Sequence, residues 1–226
     1  MKASGLSLRC IPLLYWASVH VPSPYAIWYS DVGVLNGSGV AISNGETAGT
    51  IQDQSGNGRN VTQATANAQP LYTTAGALNG HNPLVFDGTN DFLQSAALSP
   101  TLNLWTAVTV LAPANYEDTV ALPMLSIVNS SGLKWALQSG VNLISATPAV
   151  VDLPVVLTEV KTATSTGRLL LDGVEISTGT TGNNNLTSQI IGDVGMKFYA
   201  RLLFSGILTD PQIAAVNASL RSRYAI

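Results

Sequence analysis

The amino-acid sequence predicts an all-β fold, a sandwich of two antiparallel sheets with a short C-terminal helix. From about residue 83 onward, short apolar runs alternate with clusters of turn residues, a pattern typical of many short strands. Apolar residues at helical spacing form one good helix, near the C-terminus. Many strands with a single helix favour a sandwich, and 226 residues are enough for one large domain of this kind.

The predicted strands follow one another in short runs. Residues 31–50 are rich in Gly, Ser and Asn and are predicted to be loop with one short strand. The later runs, in chain order, are Leu84 to Phe86, a run that begins at Phe92, Trp105 to Leu111, Leu122 to Val128, Lys134 to Gln138, and Val141 to Ile144. Their spacing indicates one continuous series of strands without internal repeats.

The clearest hairpin is predicted within residues 155–178. Apolar and polar side chains alternate on both sides of the dipeptide Asp172-Gly173. Asp-Gly favours the two-residue turns that join antiparallel strands, because glycine tolerates a positive φ. We therefore expect the chain to reverse at Asp172-Gly173, with one face of the hairpin exposed to water.

The C-terminal helix has a recognisable start. Thr209 and Gln212 have the spacing of a capping box, and Pro211 lies in the first turn, where its missing N–H costs little. An apolar stripe at helical spacing consists of Ile213, Val216 and Leu220. We expect this stripe to pack on the sandwich.

The composition excludes several classes of protein. Charged residues make up 10% of the chain and the net charge is −3, so a clustered basic patch is missing and no nucleic-acid partner is expected. Cys10 is the one cysteine, which rules out an internal disulfide. Three prolines interrupt the charge-poor stretch 10–30, so we expect no membrane insertion. The mean hydropathy of +0.27 fits either two well-buried sheets or apolar surface covered in an assembly.

The first 30 residues are rich in Tyr, Trp and Pro. Lys2 and Arg9 precede a short apolar run and imitate a secretion signal, but Pro12 and two aromatic residues interrupt that run. We therefore expect residues 1–30 to be a retained arm that packs on a neighbouring subunit or another protein, followed by a sandwich domain at 31–226. The alternative is that the arm supplies the first strand of its own sandwich.

Four segments, in order, resemble one known family. They are D-Q-S-G-N-G-R-N at 53–60, P-L-V-F-D-G-T-N-D-F-L at 83–93, R-L-L-L-D-G-V-E-I at 168–176, and the closing helix at 207–226. Together they resemble the concanavalin A-like lectin/glucanase, or laminin G-like, jelly-roll domains. The form with a terminal helix ending in Arg-Tyr is similar to domains of phage tail and other virion proteins, and of secreted bacterial proteins.

The resemblance implies several functions, since this fold hosts lectins, glycoside hydrolases, adhesion modules and structural parts. The leading hypothesis is a non-enzymatic structural or adhesion protein of a phage virion: a tail or fibre component, or a head decoration. Its partners would be further copies of itself or other virion proteins, bound through the arm, and a host surface glycan. The alternative is a secreted bacterial carbohydrate-binding module, and a degenerate glycoside hydrolase is less favoured.

No catalytic residues are predicted. The glucanases of this fold carry their carboxylates as E-x-D-x-E, a spacing that is missing here. The glutamates are Glu46, Glu117, Glu159 and Glu175. The nearest acidic pairs are Glu117-Asp118, whose side chains would point to opposite faces of a strand, and Asp172 with Glu175, across a turn.

Histidine chemistry is not expected either. The two histidines are His20 and His81, and His81 lies in a loop by composition. A G-x-S-x-G elbow is missing from the sequence, and two histidines with one cysteine do not make a zinc site.

Calcium is the one cofactor that the resemblance raises. Asp53 and the carbonyls around Asn57 match a calcium-binding loop by position, but the family's acidic pair falls at Tyr199-Ala200. Calcium needs six to eight oxygen ligands. We therefore predict no metal and no cofactor, and expect Asp53 and Ser55 to organise a turn. A hairpin turn likewise explains Asp87-Gly88-Thr89-Asn90.

Glycan binding needs exposed aromatic rings with amide and hydroxyl partners. Trp105 and Trp135 lie in apolar runs and are expected in the core, whereas Trp28 is a candidate for an arm contact. The loop 36–45 and the Asn run 183–185 could line a site, although ordinary loops are the simpler interpretation.

Overall fold

A computed structural model describes residues 19–114, 126–129, 133–138, 142–182, 184–192 and 195–226. The strands are β1 (Ala26–Tyr29), β2 (Val34–Asn36), β3 (Ala48–Ile51), β4 (Val61–Thr62), β5 (Leu71–Tyr72), β6 (Leu84–Phe86), β7 (Phe92–Ser95), β8 (Trp105–Pro113), β9 (Ser126–Asn129), β10 (Leu133–Gln138), β11 (Asn142–Pro148), β12 (Val155–Ala163), β13 (Thr166–Leu171), β14 (Val174–Thr180), β15 (Ile190–Gly192) and β16 (Met196–Phe204). A 3-10 turn spans Ala66–Ala68, and the helix α1 spans Asp210–Tyr224.

Two layers of antiparallel strands make up the sandwich. One layer is an eight-stranded sheet in the order β14-β13-β12-β8-β16-β6-β5, with β1 also paired to β16. The other layer consists of a five-stranded sheet, β15-β7-β4-β3-β2, and a three-stranded sheet, β11-β10-β9. Side chains from all three sheets share one core. The predicted fold class, a jelly-roll sandwich with a C-terminal helix, is confirmed.

The central strands of the eight-stranded sheet are buried on both faces, whereas the edge strand β14 has no buried residue. Along β12, Val155 and Leu157 point into the core between the layers, whereas Val156 and Val160 belong to a second cluster that includes the helix. All nine residues of β8 are buried. Burial on both faces explains why the central strands have nearly continuous apolar sequences and not an alternating pattern.

The sequence-based division into an arm at 1–30 and a sandwich at 31–226 needs a correction at residues 26–29. Ala26–Tyr29 pairs with β16, with Trp28 opposite Arg201, and all four residues of the strand are buried. A boundary at residue 30 therefore cuts through the sandwich, and the alternative hypothesis of an intrinsic first strand is correct for this part. Of the aromatic residues that suggested an interface, Tyr25, Trp28 and Tyr29 are buried within the sandwich itself. Residues 1–18 of the predicted arm lie outside the described residues.

The predicted hairpin and helix are both confirmed. β13 and β14 are joined by Asp172 and Gly173, which have φ values of 52° and 87°, as a type I′ turn requires. Thr209 caps α1 in a full capping box with Gln212. The apolar stripe of the helix packs on the outer face of the eight-stranded sheet. Among the described residues, no helix is long and apolar enough to cross a membrane.

Two strand predictions change in detail. Residues 31–50 contain β2 and most of β3, so this loop-like segment contributes two strands and not one. The run predicted at 122–128 is described only from Ser126, where β9 begins.

The burial of β1 generates the first prediction. Trp28→Ala should lower the free energy of unfolding by about 3–5 kcal/mol, because it empties a fully buried site in the core. Urea denaturation measures the effect. Val40→Ala is the control, since Val40 is 61% exposed and should change stability by less than about 0.5 kcal/mol. Equal small effects for both variants would show that β1 does not belong to the core.

Candidate functional site

Asp53 organises the loop at 53–60. Its Oδ1 accepts hydrogen bonds from the backbone N–H groups of Ile27 and Ser55, both at 2.9 Å. Its Oδ2 accepts from the Ser55 hydroxyl at 2.8 Å and from the Arg59 N–H at 3.0 Å. Both carboxylate oxygens are therefore directed at N–H and O–H donors, which supports the turn hypothesis and not a role as a calcium ligand.

No group of three or more His, Cys, Asp or Glu residues that could hold a metal occurs in the part of the chain that the structure describes. Tyr199 and Ala200, at the positions of the family's acidic pair, are buried in β16. Asp87 is again a turn residue: its Oδ1 accepts the N–H groups of Thr89 and Asn90 at 2.8 and 3.2 Å.

Tyr25 connects this loop to the turn that follows β7. Its carbonyl accepts from the Asn57 side-chain amide at 3.0 Å and from Nη1 of Arg59 at 3.1 Å. Its ring lies under the Arg59 guanidinium, with 3.6 Å from the central carbon to the ring centroid. Its hydroxyl donates to the carbonyl of Ser99 at 3.0 Å. One buried side chain thus fixes two segments that are far apart in sequence.

A cleft of about 410 Å³ lies between these two segments. Asn57, Arg59 and Asn60 line one side, and residues 95–99 line the other. Thr62, exposed at the end of β4, also contributes to the lining. We call this the Arg59 cleft.

A second cleft of about 540 Å³ is lined by part of the loop 36–45, the loop that the sequence suggested for a glycan site. Glu46 lies on its wall, and its Oε1 accepts from the Asn36 amide at 3.2 Å. Gln69 accepts from the Thr47 hydroxyl at 3.0 Å. We call this the Glu46 cleft. Its polar side chains mostly bond to one another.

The Asn run at 183–185 lines neither cleft where it is described. Asn184 and Asn185 are exposed, and residue 183 lies outside the described residues.

The three candidate tryptophans are all in the core. Trp105 and Trp135 are 1% exposed, as predicted. Trp28 is 0% exposed, so its interpretation as an arm contact is wrong. Its indole N–H donates to the Arg59 carbonyl at 2.8 Å, which ties β1 to the 53–60 loop. None of these three rings is free to stack on a sugar.

Glu159 forms a buried ion pair that the sequence analysis missed. Its Oε2 lies 2.7 Å from Nη1 of Arg201, and the two side chains are 0% and 2% exposed. Nη1 of Arg201 also donates to the Thr109 hydroxyl at 2.6 Å. Burial raises the pKa of Glu159 to about 6, because lost hydration outweighs the attraction of Arg201. The sequence could have indicated this burial, because Glu159 is two residues from the core residue Leu157 and alternate residues of a strand point to the same face.

The other carboxylates that the sequence analysis weighed and rejected as a catalytic pair form ion pairs away from the clefts. Glu175 pairs with Arg168 at 2.5 Å, and Asp172 pairs with Arg221 at 2.8 Å. These ion pairs lie on the hairpin and do not flank either cleft. Glu117 and Asp118 lie outside the described residues.

The two histidines line neither cleft. His20 is exposed, and its carbonyl accepts from the Gln212 side chain at 2.7 Å. His81 contacts Asp31 through Nδ1 at 2.6 Å and packs edge-on against Tyr224, with 5.1 Å between ring centroids. The loop containing His81 is thereby fastened to the end of α1.

Comparisons with known proteins support the fold. No family model and no curated protein matches the chain. The ligand-binding domain of botulinum neurotoxin serotype D, in complex with N-acetylneuraminic acid, superposes with a TM-score of 0.58 at 12% identity, covering 87% of this chain and 50% of that one. The binding domain of Paraclostridial mosquitocidal protein 1 has a TM-score of 0.57 at 11% identity, covering 78% and 51%.

Trypanosoma rangeli sialidase in complex with the inhibitor DANA has a TM-score of 0.54 at 13% identity, with coverage of 96% of this chain and 36% of the sialidase. The chain thus spans about half or less of each of these structures. At such identities the likeness shows a shared jelly-roll sandwich fold.

The hydrogen bonds of Asp53 generate the second prediction. Asp53→Ala should lower the free energy of unfolding by about 2–3 kcal/mol, because it leaves several backbone donors without their charged acceptor. Wild-type protein should melt at the same temperature in calcium and in a chelator. A melting temperature that calcium raises in the wild type but not in Asp53→Ala would show that Asp53 is a calcium ligand.

Proposed function

We propose that this chain is a non-catalytic adhesion module that binds carbohydrate, and that it works as a component of a phage particle. The observation that carries the proposal is the distribution of polar groups. Inside the sandwich, Glu159 is fully buried against Arg201, where no substrate can reach it. Open clefts at the edge of the sandwich present amides and hydroxyls, the groups that hydrogen-bond to sugar hydroxyls.

A hydrolytic function is less well supported. A retaining glycosidase needs two carboxylates about 5 Å apart around the scissile bond. Among the described residues, the Arg59 cleft contains no carboxylate side chain and the Glu46 cleft contains one. Binding without turnover is the chemistry that this arrangement favours.

The structural neighbours support carbohydrate as the ligand class. One of them is a ligand-binding domain in complex with N-acetylneuraminic acid, and another is a sialidase in complex with the inhibitor DANA. Because this chain spans only part of each protein, their activities and partners are not transferred. What they support is that a sandwich of this kind belongs in carbohydrate-recognising proteins.

The proposed role in a phage virion has two supports of its own. It is supported by the ordered motifs of residues 50–226 that resemble virion domains, and by the low content of charged residues. Contacts with further copies or with other virion proteins are proposed for the arm at 1–30, of which residues 26–29 are paired with β16 in the sandwich. A secreted bacterial carbohydrate-binding module shares the same binding chemistry and differs in acting without a particle.

The third prediction tests binding and catalysis together. The purified chain should give signals on a glycan array, and the same glycans should remain intact after prolonged incubation, as measured by chromatography of released sugars. Release of sugar would contradict the non-catalytic assignment, and the absence of any signal would contradict the binding function. Co-purification with particle proteins supports the virion role, and a monomer that binds glycans but associates with no particle protein supports the secreted module.

A further inference from the structure

We infer that the Arg59 cleft is the carbohydrate site, and that it selects sugars bearing an anionic group, carboxylate or sulfate. The inference rests on the proposed binding function and adds a location, a ligand class and a determinant of specificity. Sialic acids, uronic acids and sulfated sugars carry the required group.

The charge of Arg59 is the first argument. Most basic side chains of the described part form ion pairs with carboxylates, namely Arg168, Lys197, Arg201, Arg221 and Arg223. Among the described residues, Arg59 forms no ion pair with a carboxylate. Asp53 is near in sequence, but its oxygens accept from backbone N–H groups and the Ser55 hydroxyl, not from the guanidinium. Arg59 therefore lines an open cleft with a guanidinium that forms no ion pair with a carboxylate among the described residues.

The rigidity of Arg59 is the second argument. The central carbon of the Arg59 guanidinium lies 3.6 Å from the centroid of the Tyr25 ring, and Nη1 donates to the Tyr25 carbonyl at 3.1 Å. A guanidinium has five N–H donors, so further donors remain for a planar, two-point contact with a carboxylate or sulfate. Because folding already fixes the side chain, ligand binding loses little of its conformational entropy.

The rest of the cleft suits a sugar ring. Thr62, Ser99, Asn57 and Asn60, residues with hydroxyl or amide side chains, are among those that line it. Its volume of about 410 Å³ is within the range of small-molecule sites, roughly 300–1,000 Å³. The Glu46 cleft offers the opposite charge, since a carboxylate lies on its wall and would repel an anionic sugar. The two clefts therefore differ in the ligands that they favour.

The fourth prediction compares Arg59→Gln with Arg221→Gln, which removes the same charge from the partly exposed surface of α1. Probes are sialylated, uronate-containing and sulfated glycans on an array, each beside its neutral counterpart, with hits quantified by isothermal titration. Wild type and Arg221→Gln should bind acidic glycans alike. Arg59→Gln should weaken that binding by about tenfold or more, because a charged hydrogen-bond donor is lost.

A second variant separates binding from folding, because Arg59 also stabilises its own loop. Ala97→Tyr places a bulky side chain in the cleft from the opposite wall, where Ala97 is exposed, and leaves the Arg59–Tyr25 contact in place. It should melt at the wild-type temperature and lose acidic-glycan binding to a similar extent. Unchanged binding in this variant would overturn the assignment of the cleft.

The outcomes on the array distinguish the two proposals. If Arg59→Gln loses binding to carboxylated glycans or to sulfated glycans, the result supports the inference and identifies the anionic group. Binding of neutral glycans that neither variant changes overturns the inference and leaves the proposed carbohydrate-binding function standing. Absence of binding to any glycan overturns both.

Discussion

The pairing of strand β16 with neighbouring strands on both of its edges is the constraint on which the rest of the structure depends. One edge of Met196–Phe204 pairs along its length with β8, and the other edge pairs first with β6 and then, beyond Tyr199, with β1. Its inward side chains, such as Phe198 and Leu203, enter the core between the layers, and its outward side chains lie under α1. A strand enclosed in this way fixes both the position of the N-terminal strand and the position of the helix.

The candidate site follows from that constraint. Once β1 is paired to β16, the Ile27 N–H reaches Asp53 and the Trp28 indole reaches the Arg59 carbonyl. Tyr25, at the start of the same segment, then holds the Arg59 guanidinium and the turn at Ser99. Loops line the cleft, but contacts from the buried residues of β1 and from Tyr25 hold these loops in position. This explains how an exposed polar loop obtains a defined geometry.

Sequence reasoning recovered the elements that carry their own local signals. The Asp172-Gly173 turn, the capping box of Thr209 and the apolar runs of the central strands were all predicted correctly. β1 was misassigned because it is buried on both faces, which removes the alternation that marks a strand, and because nearby prolines and aromatics imitate an interface arm. The roles of Arg59 and Glu159 were missed for a different reason. Their partners, Tyr25 and Arg201, are 34 and 42 residues away, and only the fold brings them together.

The central claim is that the sandwich binds its ligand in loops at its edge, at the Arg59 cleft, and that the pairing of β1 with β16 positions these loops. Mapping amide chemical-shift changes by NMR during titration with an acidic glycan tests this claim most directly. We expect the changes to cluster at 57–60 and 95–99, while the amides of β12 and α1 remain unaffected. Changes centred on residues 36–47, or on the outer face of the helix, would contradict the account.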